Sequence, residues 1–298
     1  MSGGLVVAAP AKINLFLHVG QKRGDGCHEL ESLVAFAACG DEVRLDADEG
    51  ISLSVDGPFA AQLASGHDNL VLGAAKRLAE RSGAQCGVRI GLRKILPVAA
   101  GLGGGSADAA AVLRGLVHLW NIEPSRDALP EIAASLGADV PVCLGCRTAW
   151  MEGRGERVHP LPQLPKAGVL LVNPGVPIST AQVFASLQTR RGLGMRCPEA
   201  PFADIDALVG FLRDTTNDLE SPALRIAPAI GEVLREIANL PDSLLARMSG
   251  SGATCFGLFA SAPSARTAAL LLRSRHPEWW IAETVFRDSA EVAVTLNS

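Results

Sequence analysis

The chain contains no tyrosine, and only 4% of its 298 residues are aromatic. Basic charge is not in excess: 27 Lys and Arg stand against 31 Asp and Glu, a formal net charge of −4. That balance excludes a nucleic-acid partner held on a basic face, so an anionic small ligand must be gripped by local donors. No run of about 18 uninterrupted apolar residues occurs, and no membrane-spanning helix is expected. Met1-Ser2-Gly3-Gly4 lacks the charged and apolar regions of a secretory signal. The seven cysteines are scattered and odd in number, which suits reduced thiols in a cytoplasmic protein. Cys143-Leu144-Gly145-Cys146 has the spacing of half a zinc site, but no second such pair completes four ligands, so buried thiols are expected there.

What the chain has is apolar mass and one dense glycine run. With 48% hydrophobic residues it can bury one large core or two ordinary ones. Leu96-Pro97-Val98-Ala99-Ala100-Gly101-Leu102-Gly103-Gly104-Gly105-Ser106-Ala107-Asp108 places four glycines in five positions, directly before an alanine-rich amphipathic run. Glycine admits left-handed dihedrals and close backbone approach, so consecutive N–H groups can converge on one anion. At a helix N-terminus, unpaired N–H donors and the macrodipole add to the attraction. The run reads as a phosphate cradle, or else as a structural turn capping a packed helix. It is not a Walker loop, because no lysine follows Gly105. Nor does it fit a dinucleotide fingerprint, in which Ser106 would have to be glycine, and the kinase tripeptides His-Arg-Asp and Asp-Phe-Gly are absent.

Around the cradle, strand and helix signals mix. Ile13, Leu15, Leu17 and Val19 alternate with Lys12, Asn14, Phe16 and His18, a strand period. Short strands are expected at 42–46, 51–55, 87–93, 169–172 and 254–259. Helices are expected at 68–81, at 106–120 with Ser106 as N-cap, at 127–136 ending on Gly137, and at 180–187, 205–213 and 229–239. The Gly- and Pro-rich stretch 153–165 reads as a linker, dividing the chain into domains 1–155 and 156–298 with a ligand cleft between them.

Four further segments can carry chemistry. Lys12 and Asn14 share one face of their strand, although a lysine there equally suits a solvated edge. Asp139, in Leu136-Gly137-Ala138-Asp139-Val140-Pro141, lies between a helix stop and an expected apolar strand, where turn capping is an alternative role. Ser249-Gly250-Ser251-Gly252 is a second glycine-serine loop, or simply a hairpin. Gly24-Asp25-Gly26-Cys27-His28 carries a lone histidine, a residue as often structural as functional.

In combination, Lys12, the Pro97–Ala107 cradle and Gly250-Ser251-Gly252 follow the three-motif order of the GHMP kinases, and the chain resembles that superfamily. The stretches Ala9–Leu15, Arg23–His28 and Leu136–Pro141 are most similar to its branch acting on a cytidine-diphosphate methylerythritol in non-mevalonate isoprenoid synthesis. The resemblance implies an α+β, two-domain fold: an N-terminal ribosomal-protein-like domain, a C-terminal ferredoxin-like domain, and the active site between them. It implies ATP and Mg²⁺ as cofactors, small-molecule substrates, and a monomer or homodimer. Asp139 would be the catalytic base and Lys12 its partner. Residues 97–107 would hold ATP, with Asn69 near the adenine and Ser106 a contact for Mg²⁺ carried by ATP instead of a permanent metal site. Asn14 would orient the acceptor, while Cys27, His28, Thr180 and Phe184 would surround its cytidine. The chain departs from the family at Cys27, where a tyrosine stacks on the base. A different small alcohol as acceptor, or a dinucleotide-dependent oxidoreductase, are the competing readings.

Overall fold

The computed structural model describes residues 4–24, 26–63, 69–83, 87–123, 128–188 and 192–287, with the backbone of 294–296. Asp25, Asp68 and Asp127, named above in a motif or at a helix start, lie outside the described residues.

The alternating stretch spans the end of one strand and the start of the next, and both of its residue sets are buried. β1 (Leu5–Asn14) pairs antiparallel with β3 (His28–Asp48) on one side and with β12 (Val294–Leu296) on the other. Lys12, Asn14, Phe16 and His18 are all buried. The solvated-edge reading of Lys12 is therefore wrong: β12 covers only Leu5–Val7, but at Lys12 the other side of β1 is covered by the glycine run, the Lys12 N–H donating to the Leu102 carbonyl at 2.9 Å. β2 (His18–Lys22) runs back against the start of β3.

β3 is a single 21-residue strand where the sequence suggested a short one at 42–46. Gly40 interrupts its alternation for a steric reason, since a Cβ there would lie 2.3 Å from the Ala9 carbonyl oxygen. β4 (Ile51–Asp56) lies parallel to β5 (Gly87–Arg93), which pairs with β3. Between them, α1 (Leu70–Ser82) is capped by Asn69, whose side chain accepts from the Val71 N–H, and it stops at Gly83 in the left-handed region.

α2 (Gly104–Leu119) packs on β1 and β3 through Ala109, Val112, Leu113 and Leu116. α3 (Ala128–Leu136) and α4 (Val140–Gly145) follow. The short strand expected after Asp139 is thus a helix, opened by Pro141 near its first position. β6 (Ala149–Gly153) and β7 (Arg157–Pro160) form a hairpin on β3. The glycines read as linker close that turn, so the division between the two sheets falls in 161–167, and the strand at 294–296 rejoins the first sheet.

The second sheet comprises β8 (Gly168–Asn173), β9 (Ser243–Met248), β10 (Cys255–Phe259) and β11 (Trp280–Val285). Before β9 come α5 (Thr180–Ala185), α6 (Ile205–Arg213), α7 (Glu220–Ile226) and α8 (Ala229–Ala238), and α9 (Ala262–Arg275) precedes β11. The strand order β11-β8-β10-β9, all antiparallel, is the βαββαβ order of ferredoxin-like domains.

One apolar cluster underlies each sheet, and a third joins them, with Ile13, Phe16, Leu33 and Trp150 facing Leu171, Leu208 and Phe256. Each of these side chains contributes roughly 1.5–3 kcal/mol when buried. Arg247, buried on β9, reinforces the seam by donating to the carbonyls of Leu15, Leu212 and Thr215 at 2.8–2.9 Å. An apolar, hydrogen-bonded seam holds the two halves at a fixed spacing.

Candidate active site

Between the halves lies a cleft of about 1110 Å³. Its walls are the glycine run, the Gly137–Asp139 turn, the β2–β3 hairpin, α5 and the Gly250–Ser251 loop. Of the residues proposed from sequence, Lys12, Asn14, Cys27, His28, Asn69, Asp139, Thr180 and Phe184 all line it, as do Pro97–Gly101 and Gly103–Ser106. Leu102 and Ala107 do not: both are buried, Leu102 in the joining core and Ala107 beneath the first sheet. They anchor the run from behind.

At the cleft floor the Lys12 Nζ lies 2.9 Å from the Asp139 Oδ2, with the lysine side chain 4% exposed and the aspartate 36%. Asp139 occupies the N-cap position of α4, yet its side chain makes no cap hydrogen bond. The capping role is therefore unfilled, and the carboxylate is turned to the lysine. Lys12 also donates to the Asn14 Oδ1 at 3.0 Å, and the Asn14 Nδ2 donates to the Ser32 Oγ at 2.8 Å. That network fixes the Asn14 amide. Asn14 thus acts first on Lys12, which the sequence did not suggest.

The cradle is built by α2 starting late. Gly103, not Ser106, is the N-cap, at φ 61° and with no side-chain cap bond. The first intrahelical bond runs from the Ala107 N–H to the Gly103 carbonyl, so the N–H groups of Gly104, Gly105 and Ser106 precede the ladder at the cleft wall. The glycines are demanded from behind as much as from the cleft. A Cβ on Gly103 would meet the Lys12 side chain at 3.1 Å, and one on Gly104 would meet the Lys94 Nζ at 3.4 Å. Gly101, at φ +75°, packs against the second loop, where a Cβ would lie 2.3 Å from the Ser249 carbonyl oxygen.

Ser249, which sequence reasoning gave no role of its own, links the two loops. Its hydroxyl donates to the Gly101 carbonyl at 2.9 Å and accepts from the Asn14 N–H at 3.1 Å. The Gly250–Gly252 segment is therefore a brace for the cradle and not an isolated hairpin. Asn217 holds that brace by donating to the carbonyls of Met248 and Gly250, both at 2.8 Å.

At the far end His28 stacks on Phe184, ring centroids 5.5 Å apart and planes 23° from parallel, while the His28 Nδ1 lies 3.3 Å from the Gly20 carbonyl. The Thr180 Oγ1 is 2.7 Å from the Ser251 Oγ. Cys27 is exposed beside them. Cys143 and Cys146 are buried, and burial pushes both thiols up, so they stay protonated at neutral pH.

Residues 69–146 match the GHMP kinases N terminal domain and residues 202–277 the GHMP kinases C terminal domain. The 4-diphosphocytidyl-2-C-methyl-D-erythritol kinase of Parvibaculum lavamentivorans is 50% identical over 94% of this chain and 98% of that protein. The protein of the same name from Paramagnetospirillum magneticum is 51% identical over 93% of this chain and 96% of its own. A crystal structure of 4-(cytidine 5'-diphospho)-2C-methyl-D-erythritol kinase superposes with a TM-score of 0.77 at 35% identity, over 95% of this chain and all of that one. Mevalonate kinase from L. major, at 14% identity and a TM-score of 0.68, shares the fold. With half its residues identical to such relatives along nearly its whole length, and with both GHMP domains in place, the chain belongs to the 4-diphosphocytidyl-2-C-methyl-D-erythritol kinase family of the GHMP kinases.

Proposed function

We propose that this protein transfers the γ-phosphoryl group of ATP to the 2-hydroxyl of 4-diphosphocytidyl-2-C-methyl-D-erythritol, giving the 2-phosphate and ADP. The observation that carries the reading is the 2.9 Å Lys12–Asp139 pair on the floor of a cleft walled by the glycine cradle. Phosphoryl transfer asks mainly for alignment and charge stabilisation. The N–H groups of Gly104–Ser106, at the positive end of α2, are the donors for the β- and γ-phosphates. Mg²⁺ carried by ATP would supply further charge neutralisation, and the Ser106 hydroxyl, on the cleft wall, would be its protein contact.

Asp139, with its carboxylate uncommitted to capping, accepts the proton of the acceptor alcohol. Lys12 keeps that carboxylate ionised and offsets charge developing on the transferred group. Asn14 holds the ammonium in place. Asn69 faces the adenine end, while His28, Phe184 and Thr180 form the cytidine end, with Phe184 as the stacking ring, His28 as the hydrogen-bonding group and exposed Cys27 where a second ring would lie. A coupled ADP-release assay tests the reading with the cytidine diphosphate substrate, mevalonate, homoserine and galactose as acceptors. Turnover confined to the first is the expected result, and turnover of another acceptor alone would overturn it.

A further inference from the structure

Beneath the cradle, reaching the cleft wall through Lys94 and Asp108, sits a charged group to which the reading above gives no part. Lys94, at the end of β5, is buried, and its Nζ donates to the carboxylates of Asp41 on β3 and of Asp108 on α2, the latter at 2.8 Å. Both aspartates are buried as well. The other oxygen of Asp41 accepts the backbone N–H groups of Ile95 and Leu96 at 2.6 and 2.9 Å. Thus one carboxylate grips the chain just before Pro97, and the ammonium ties that point to the second turn of the helix that leaves the run.

This group is poorly suited to stability alone. Three charges taken out of water rarely recover the desolvation cost, and an apolar filling of similar volume is often as stable or better. One oxygen of Asp108, Oδ1, is buried with no hydrogen-bond partner, a further expense. Burial raises the Asp108 carboxyl to about 7 even against the neighbouring ammonium. What such a group does supply is registry, because directional bonds fix distances that apolar packing leaves free. The distance fixed here is that between the two ends of a glycine run with little stiffness of its own. The triad also touches the run's underside: a Cβ on Gly104 would lie 3.4 Å from the Lys94 Nζ and 3.6 Å from the Asp41 Oδ2.

We propose that Asp41, Lys94 and Asp108 are positioning residues for nucleotide binding, a strap that sets the separation of the two ends of the glycine cradle and so aims the N–H groups of Gly104–Ser106. The inference rests on the reading of that cradle as the ATP site.

Binding of a non-hydrolysable ATP analogue by titration calorimetry, with acceptor KM and thermal melting in parallel, tests it. Lys94→Gln and Asp108→Ala should each weaken the analogue by about 10- to 100-fold, the span expected for a lost charge-assisted hydrogen bond, with acceptor KM within about threefold of the parent. Asp108→Asn, whose amide oxygen can still accept from Lys94, should recover most of what Asp108→Ala loses. Should Lys94→Gln fail to fold, Asp41→Asn serves: its oxygen can keep the Ile95 and Leu96 N–H groups, its NH₂ cannot accept from Lys94, and the same nucleotide-specific loss is expected. Analogue affinity at the parental level in Asp108→Ala, equal losses for both substrates, or an asparagine no better than alanine would each overturn the strap. A parent protein that bound no analogue would instead overturn the proposed function itself.

Discussion

Gly101→Ala is the sharpest probe of how the two glycine loops meet. The residue sits at φ +75°, where a non-glycine residue costs roughly 1–2 kcal/mol. The added Cβ would lie 2.3 Å from the Ser249 carbonyl oxygen and 2.9 Å from the Gly252 nitrogen, both backbone atoms that no rotamer change can move aside. Overpacking of this kind costs about 1–3 kcal/mol. The sum, about 2–5 kcal/mol, should lower Tm by about 3–8 °C in a chain of this size. Because the strain falls between the cradle and its brace, KM for ATP should rise as well. Gly105→Ala is the internal control for stability alone: the residue is helical, its nearest protein contact would be the Leu70 Cδ1 at 3.7 Å, and alanine favours the helix, so Tm should not fall. Differential scanning fluorimetry with steady-state kinetics reads both variants. If Gly101→Ala melted with the parent and kept its ATP KM, the close approach of the two loops would be refuted.

Three further outcomes are expected. Asn69→Ala should cost about 1 kcal/mol in a thermal melt through loss of the α1 cap, whereas Asn69→Asp should keep the cap and raise only the KM for ATP. Cys27→Tyr should lower KM for the cytidine substrate without changing that for ATP, and Phe184→Ala should raise it by about 10- to 100-fold, the worth of one base–aromatic stack. In peptide mapping after alkylation with iodoacetamide, exposed Cys27 should react well before buried Cys143, Cys146 and Cys255, whose thiols burial pushes up, and the cytidine substrate should protect it.

Much of the architecture is legible in the chain because it depends on local signals. Asn69 before an amphipathic run, Gly83 after it, and the apolar stripe of α2 are short-range features, and they mark real helices. The misreadings share a cause in long-range contact. Lys12 looks like an edge charge until β3 is seen on one side of it and the glycine run, through the Leu102 carbonyl, on the other. The turn at 153–156 looks like a linker because glycine suits both; only its pairing partners make it a hairpin. Ser106 has the right side chain for an N-cap, but α2 already begins at Gly104, so Ser106 falls within its first turn. The candidate site follows the same division. Lys12, Asp139 and the glycine run stand out by residue type, while Ser249, Asn217 and the Asp41–Lys94–Asp108 group acquire meaning only once distant segments meet.

The central claim is that Asp139, paired with Lys12, takes the proton of the acceptor alcohol. Its most direct test is kcat for ADP release by Asp139→Asn with the cytidine diphosphate substrate at saturation. A fall of about 10²–10⁴ with ATP affinity and Tm retained is predicted, the size of effect expected for a lost general base; a kcat within about threefold of the parent would contradict the account.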